Sequence, residues 1–218
     1  MTLVNVASDD AVAVTGLSHK VRLGNDPSGP VVFFVHGRAG NYDVMWTFQR
    51  TLPSDWTIIA PQAPNKDRIG GYSWWDVELI GDEFVKGGLD ASQVVNSFIE
   101  KSLNYYNLTP KRLLGYGFSQ GAGLLSVLLQ KDPSRFSGIA LLAGFVLRLQ
   151  DVPPESCKAR VFIAHGTLDE AVAIDRARKG VQHLRENGFD VTFVEDEVGH
   201  KVGSQGMKAL SHWVSSFT

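Results

Sequence analysis

The sequence predicts an α/β fold, a mostly parallel central sheet with helices on both faces, and three observations carry that expectation. Short apolar, β-prone runs alternate with helical patterns along most of the chain. One of them, Val31-Val32-Phe33-Phe34-Val35, is apolar without interruption, as a strand covered on both faces must be. Finally, Gly117-Phe118-Ser119-Gln120-Gly121 stands between such a run and a helical stretch, where a sharp strand-to-helix turn belongs.

Taken in order, residues 1 to 29 hold two short alternating pieces, Ala11-Val12-Ala13-Val14 and Lys20-Val21-Arg22-Leu23, among turn residues, and predict edge strands in a hairpin. The central run at 31–35 empties into His36-Gly37-Arg38-Ala39-Gly40, a glycine loop at the strand's C-terminal end. Residues 43 to 52 are helical in pattern, and Trp56 to Ala60 read as the next strand, stopped by Pro61. From Gln62 to Gly88 a glycine-rich segment with Tyr72, Trp74 and Trp75 reads as one long functional loop, the only candidate for a lid. A helix over 90–104 follows, with Val94, Val95, Phe98, Ile99 and Leu103 along one side. Strands are then expected at 112–116, 137–143, 160–164 and 191–194, and helices at 122–130, 171–187 and 204–216. The connection from Gly144 to Ala159 is too short for a separate cap domain.

Size and charge narrow the functional classes. With 218 residues and 44% hydrophobic content, residues 1–218 suit a single domain with one substantial core. The net charge of -2 includes no basic block, which argues against nucleic acid and favours a small-molecule substrate. The single cysteine, Cys157, has no internal disulfide partner, and Asp9 and Asp10 lie where a secretory signal would want basic residues, so the expected compartment is cytoplasmic. The longest uncharged apolar run, Phe136 to Leu147, falls short of the roughly 18 to 20 residues of a membrane span, so no stable membrane insertion is expected. The oligomeric state is not legible.

The turn at 117–121 fits the G-x-S-x-G nucleophile elbow, in which a serine sits on a turn too sharp for neighbouring side chains. A dinucleotide-binding reading of Gly115, Gly117 and Gly121 fails, because the spacing is one residue too long and no acid follows about 20 positions later. Ser119 is therefore the candidate nucleophile. A serine hydroxyl attacks only when a histidine takes its proton, and the imidazole needs a carboxylate to orient it. Asp169, after the 160–164 strand, and His200, after the 191–194 strand, are the candidates. Glu170, Asp175, Glu195, Asp196 and Glu197 are nearby acids that the sequence alone does not eliminate. His36 and His165 directly follow strands and read as structural residues bonding loop backbone. An oxyanion hole would take the backbone N–H groups of Gln120 and Arg38, which leaves the Arg38 side chain to face solvent or an anionic part of the substrate.

With these residues placed, the chain resembles the α/β-hydrolase superfamily, and within it the phospholipase/carboxylesterase family of acyl-protein thioesterases and small bacterial serine esterases. The resemblance runs from about Val31 to the C-terminus. It rests on Gly117 to Gly121, His36-Gly37, Pro61-Gln62-Ala63-Pro64, Ser73-Trp74-Trp75-Asp76, His165-Gly166 to Asp169, and Gly199-His200. It implies an α/β-hydrolase fold, a Ser119-His200-Asp169 triad, and oxyanion donors at Arg38 and Gln120. The implied activity is cofactor-independent hydrolysis of short to medium acyl esters through an acyl-enzyme. Acyl-protein thioesterase or lysophospholipase-type activity on the same triad is the alternative, and a non-catalytic small-molecule-binding protein of this fold is a further one. Trp74 and Trp75 resemble the family's aromatic-aromatic-acid segment, either as packing or as substrate-binding wall. Ala122 stands where the thioesterases commonly have glycine and Arg38 replaces an apolar residue, departures that weigh on the thioester assignment more than on hydrolysis.

Overall fold

The computed structural model describes residues 4–76, 78, 80–153 and 159–217. Cys157 lies outside them. An eight-stranded sheet organises the chain, built from β1 (Val4–Val6), β2 (His19–Arg22), β3 (Val31–Val35), β4 (Thr57–Pro61), β7 (Leu113–Phe118), β8 (Gly138–Leu142), β9 (Arg160–Gly166) and β10 (Val191–Asp196). Their spatial order is β1-β2-β4-β3-β7-β8-β9-β10. From β4 to β10 all neighbours run parallel, while β1 and β2 are antiparallel additions at one edge.

Strand periodicity sorts the core into two layers. In β3, Val31, Phe33 and Val35 face one helical layer while Val32 and Phe34 face the other. The first layer holds α1 (Asp9–Thr15), α2 (Gly81–Tyr105), α3 (Gln120–Lys131) and α4 (Ile174–Glu186), with Phe98, Ile99, Leu124, Leu125 and Leu184 buried. On the opposite face, a 3-10 helix over Val44–Thr51 and α5 (Ser204–Ser215) bring Met45, Phe48, Leu210 and Val214 against the sheet. From Gln120 to Gln130 every residue of α3 is buried, so this helix sits between the sheet and other structure. Among the described residues no helix is long and apolar enough to cross a membrane.

Two expectations need correction. Ala11 to Val14 belong to α1, not to a strand. Ser8 accepts from the Ala11 N–H at 3.3 Å, Asp9 and Asp10 occupy the first turn, and Gly16 closes the helix at φ 89° with its N–H on Val12 O, 2.8 Å. Only β1 and β2 form the antiparallel edge pair. The long loop is also shorter than expected, because α2 starts at Gly81 rather than near residue 90. Gly88 lies inside that helix, where a Cβ would come within 2.5 Å of the Leu147 side chain, so this glycine serves close packing and not a break. Before α2 the chain folds into a small hairpin of β5 (Asn65–Lys66) and β6 (Tyr72–Ser73).

Candidate active site

At β3 and β7 the order of connections reverses: the chain leaves β3 toward β4 on one side and β7 toward β8 on the other. In open α/β sheets the crevice at the strands' C-terminal ends at such a point is the usual ligand site. Both the 36–40 loop and Ser119 emerge there.

Ser119 joins β7 to α3 with φ 51° and ψ −111°, a left-handed region costing on the order of 1–3 kcal/mol for a non-glycine residue. The turn closes only because its flanks lack side chains: a Cβ on Gly117 would lie 2.5 Å from Gly121 O, and one on Gly121 would lie 2.1 Å from Val35 O. Ala39 and Ala143, on loops after β3 and β8, also have positive φ, at 58° and 43°. Backbone strain thus gathers at the sheet rim around the serine.

A cavity of about 450 Å³ opens over this rim, and Ser119, His200, Gln120 and Arg38 all contribute to its wall. Behind His200 lies Asp169. Its Oδ2 accepts from His200 Nδ1 at 2.7 Å, and its Oδ1 accepts from the Ala171 and Val172 N–H groups at 2.9 and 2.8 Å. The carboxylate is fully buried yet supplied with donors on both oxygens. With Nδ1 turned to Asp169, the His200 ring has its Nε2 left for another partner. Phe118 flanks the imidazole, ring centroids 5.1 Å apart.

The competing acids are engaged elsewhere or lie exposed. Asp196 accepts from Gln205 and Gly206 N–H at 3.2 and 2.8 Å, capping α5, and Glu195 pairs with Arg178 at 2.9 Å. Asp175 also faces Arg178, at 3.3 Å, and Glu170 and Glu197 are exposed.

Both histidines read as structural bond loop backbone. His165 donates from Nε2 to Val172 O, 2.7 Å, beside Asp169. His36, completely buried, donates from Nδ1 to Gly37 O at 2.6 Å and accepts from the Ala63 N–H at Nε2, 2.9 Å. Burial pushes its pKa down to about 4, so the ring is neutral and this donor-acceptor arrangement is fixed.

Among the described residues the backbone amides of Arg38 and Gln120 are unpaired by the surrounding secondary structure: the Arg38 N–H has no acceptor, and Gln120 opens α3, where first-turn amides lack intrahelical partners. The Arg38 side chain is partly exposed and borders the cavity. It pairs with Asp67 through Nε at 2.8 Å and Nη2 at 3.3 Å, a partner that neither reading of the sequence included. Arg38, the Ser73 hydroxyl and the Ile69 N–H hold the Asp67 carboxyl well below the usual carboxylate range. The Gln120 side chain clamps the tryptophan pair, accepting from Trp74 N–H at 2.9 Å and donating to Trp75 O at 2.8 Å. The pair then divides: Trp75 is on the cavity wall, whereas the Trp74 indole donates to His36 O at 2.8 Å and packs on the His36 ring.

Sequence reasoning missed Asp67, Phe84, Phe145 and Arg176. The last three complete the cavity wall with Trp75. Only Asp67 had a local signal, its position in the glycine-rich segment between Pro64 and Ser73. Among the described residues no group of His, Cys, Asp and Glu could hold a metal ion.

Comparison with known proteins agrees with this architecture. Residues 18–218 match the phospholipase/carboxylesterase family. Acyl-protein thioesterase 1 of Debaryomyces hansenii is 24% identical over 185 residues, covering 75% of this chain and 79% of its own. Acyl-protein thioesterase 1 homolog 1 of Dictyostelium discoideum is 24% identical over 200 residues, 84% and 88% of the two chains. The fold is shared with the Bacillus cereus carboxylesterase, at a TM-score of 0.82, 20% identity and coverage of 95% and 97%. Esterase PE8 shares it as well, at 0.79, 22%, 93% and 99%. The chain is an α/β hydrolase and belongs to the phospholipase/carboxylesterase family.

Proposed function

We propose that the protein is a serine hydrolase that cleaves carboxylic esters through an acyl-enzyme on Ser119. The observation that carries this reading is a strained serine and an Asp169-oriented histidine opening onto one cavity. His200 Nε2 takes the Ser119 proton as Oγ adds to the substrate carbonyl. The Arg38 and Gln120 N–H groups receive the developing oxyanion, aided by the α3 N-terminus. The imidazolium, stabilised by Asp169, protonates the leaving group. Water then enters, gives its proton to Nε2, and releases the acid while Ser119 is regenerated. No step calls for a cofactor.

The curated relatives named as acyl-protein thioesterases favour one second reading, a thioester leaving group on the same residues. The test pairs an oxygen ester and a thioester of one acyl group and compares wild type with Ser119→Ala. Because triad residues act as a unit, the substitution should lower kcat by about 10⁴-fold or more on whichever substrate is turned over. Wild-type turnover by Ser119→Ala on both would show that the nucleophile lies elsewhere.

A further inference from the structure

Two arginines border the cavity, and they differ in how their charge is met. Arg38 is neutralised by Asp67. Arg176, in the first turn of α4, has its guanidinium carbon 3.9 Å over the Phe145 ring and 5.4 Å from the Phe84 centroid. Among the described residues no carboxylate lies within ion-pair distance of it. Its neighbour Asp175 is held by Arg178 instead. Among the described residues the cavity wall contains no Asp or Glu.

The arginine is nonetheless held in place. Phe145 packs against Trp75 and Phe84, with centroids 6.5 and 5.9 Å away, and abuts α3 at Gly123, where a Cβ would meet its ring at 2.8 Å. A planar cation stacked on this rigid aromatic surface keeps its donor edge free for hydrogen bonds. The guanidinium remains partly solvated, though burial of its inner side lowers its pKa and leaves a desolvation cost that an anion would offset.

Taking Ser119 as the esterase nucleophile, we propose that Arg176 receives a carboxylate carried by the substrate's acyl portion. The preferred esters are then half-esters of dicarboxylic acids rather than esters of simple fatty acids. The acyl side is assigned because the leaving group departs toward His200. Beyond Phe118, on that side, a separate hollow lined by Met45, Lys201 and Met207 offers it room.

The test compares kcat/KM for monoethyl glutarate with that for ethyl valerate, and adds butyryl glycolate, in which the carboxylate rides on the alcohol. Wild type should prefer the half-ester. Arg176→Met, which keeps the apolar stem over Phe145, should lower the half-ester to neutral-ester ratio about tenfold or more, chiefly through KM. Arg176→Lys should retain part of the preference, and added salt should weaken it in wild type. The same ratio in wild type and Arg176→Met would overturn the proposal. An Arg176-dependent preference confined to butyryl glycolate would overturn the acyl placement.

If none of these esters is cleaved, the esterase reading has failed separately, and binding decides the role of the arginine. Tryptophan fluorescence of wild type and Arg176→Met, titrated with monomethyl glutarate and with methyl valerate, reports through Trp75. Tighter binding of the anion that disappears in Arg176→Met upholds the anion site, and equal binding in both proteins removes it.

Discussion

His36 shows how one buried, neutral side chain holds the loop that carries Arg38. In the unfolded chain its imidazole titrates near 6.5, whereas in the folded protein burial lowers it to about 4. Between those values the unfolded state binds a proton that the native state rejects. The stability contributed by the neutral ring is therefore fully present above about pH 6.5 and declines as pH falls toward 4. The loss over the whole window is about 3 kcal/mol. Chemical denaturation of wild type and His36→Gln at a series of pH values should show a shallower decline in the variant, and parallel curves would contradict the assignment. Asp67 works in a lower window. Its depressed pKa keeps its contribution intact above the ordinary carboxylate value, and the contribution fades only in stronger acid. At this scale Ser119 and His200 could be picked out as candidates because glycines and strand ends mark their positions. The choice of Asp169 was less legible, since Asp196 also follows a strand. It is tertiary packing that commits Asp196 to the α5 amides and leaves Asp169 to His200.

Among the elements, α5 illustrates a terminus fixed from outside the helix. Its first amides bond the Asp196 carboxylate, and Gly203 lies so close that a Cβ would come within 2.3 Å of the Asp196 side chain. Asp196→Ala should destabilise the protein by about 1–2 kcal/mol, as loss of a helix cap does. A denaturant midpoint with unchanged slope measures this. Asp169→Asn should instead lower kcat, and the reverse pattern would exchange the roles given to the two acids. Most element positions followed from periodicity, and the exceptions have local causes. Alternating Ala and Val at 11–14 carries no decisive period, so the Ser8 cap and Gly16 set the outcome. Gly87 and Gly88 looked like loop residues, yet α2 runs through them, and Leu147 fills the space a Cβ at Gly88 would need.

Across the whole molecule, function depends on sheet order. Regular alternation of strand and helix made the parallel sheet readable, and resemblance supplied the expectation of the α/β-hydrolase arrangement. The cavity wall was not readable, because Trp75, Phe84, Phe145 and Arg176 come from separate segments with no shared motif and meet only after α2, β8 and α4 pack. The same folding brings Ser119 and His200 to one cavity, with Asp169 behind the imidazole. Reaction of the native protein with a fluorophosphonate, followed by peptide mass mapping, tests that convergence most directly. The account predicts a single phosphonyl adduct on Ser119 that is absent from Ser119→Ala and strongly slowed in His200→Ala. An adduct on another residue, or labelling of Ser119→Ala at the wild-type rate, would contradict it.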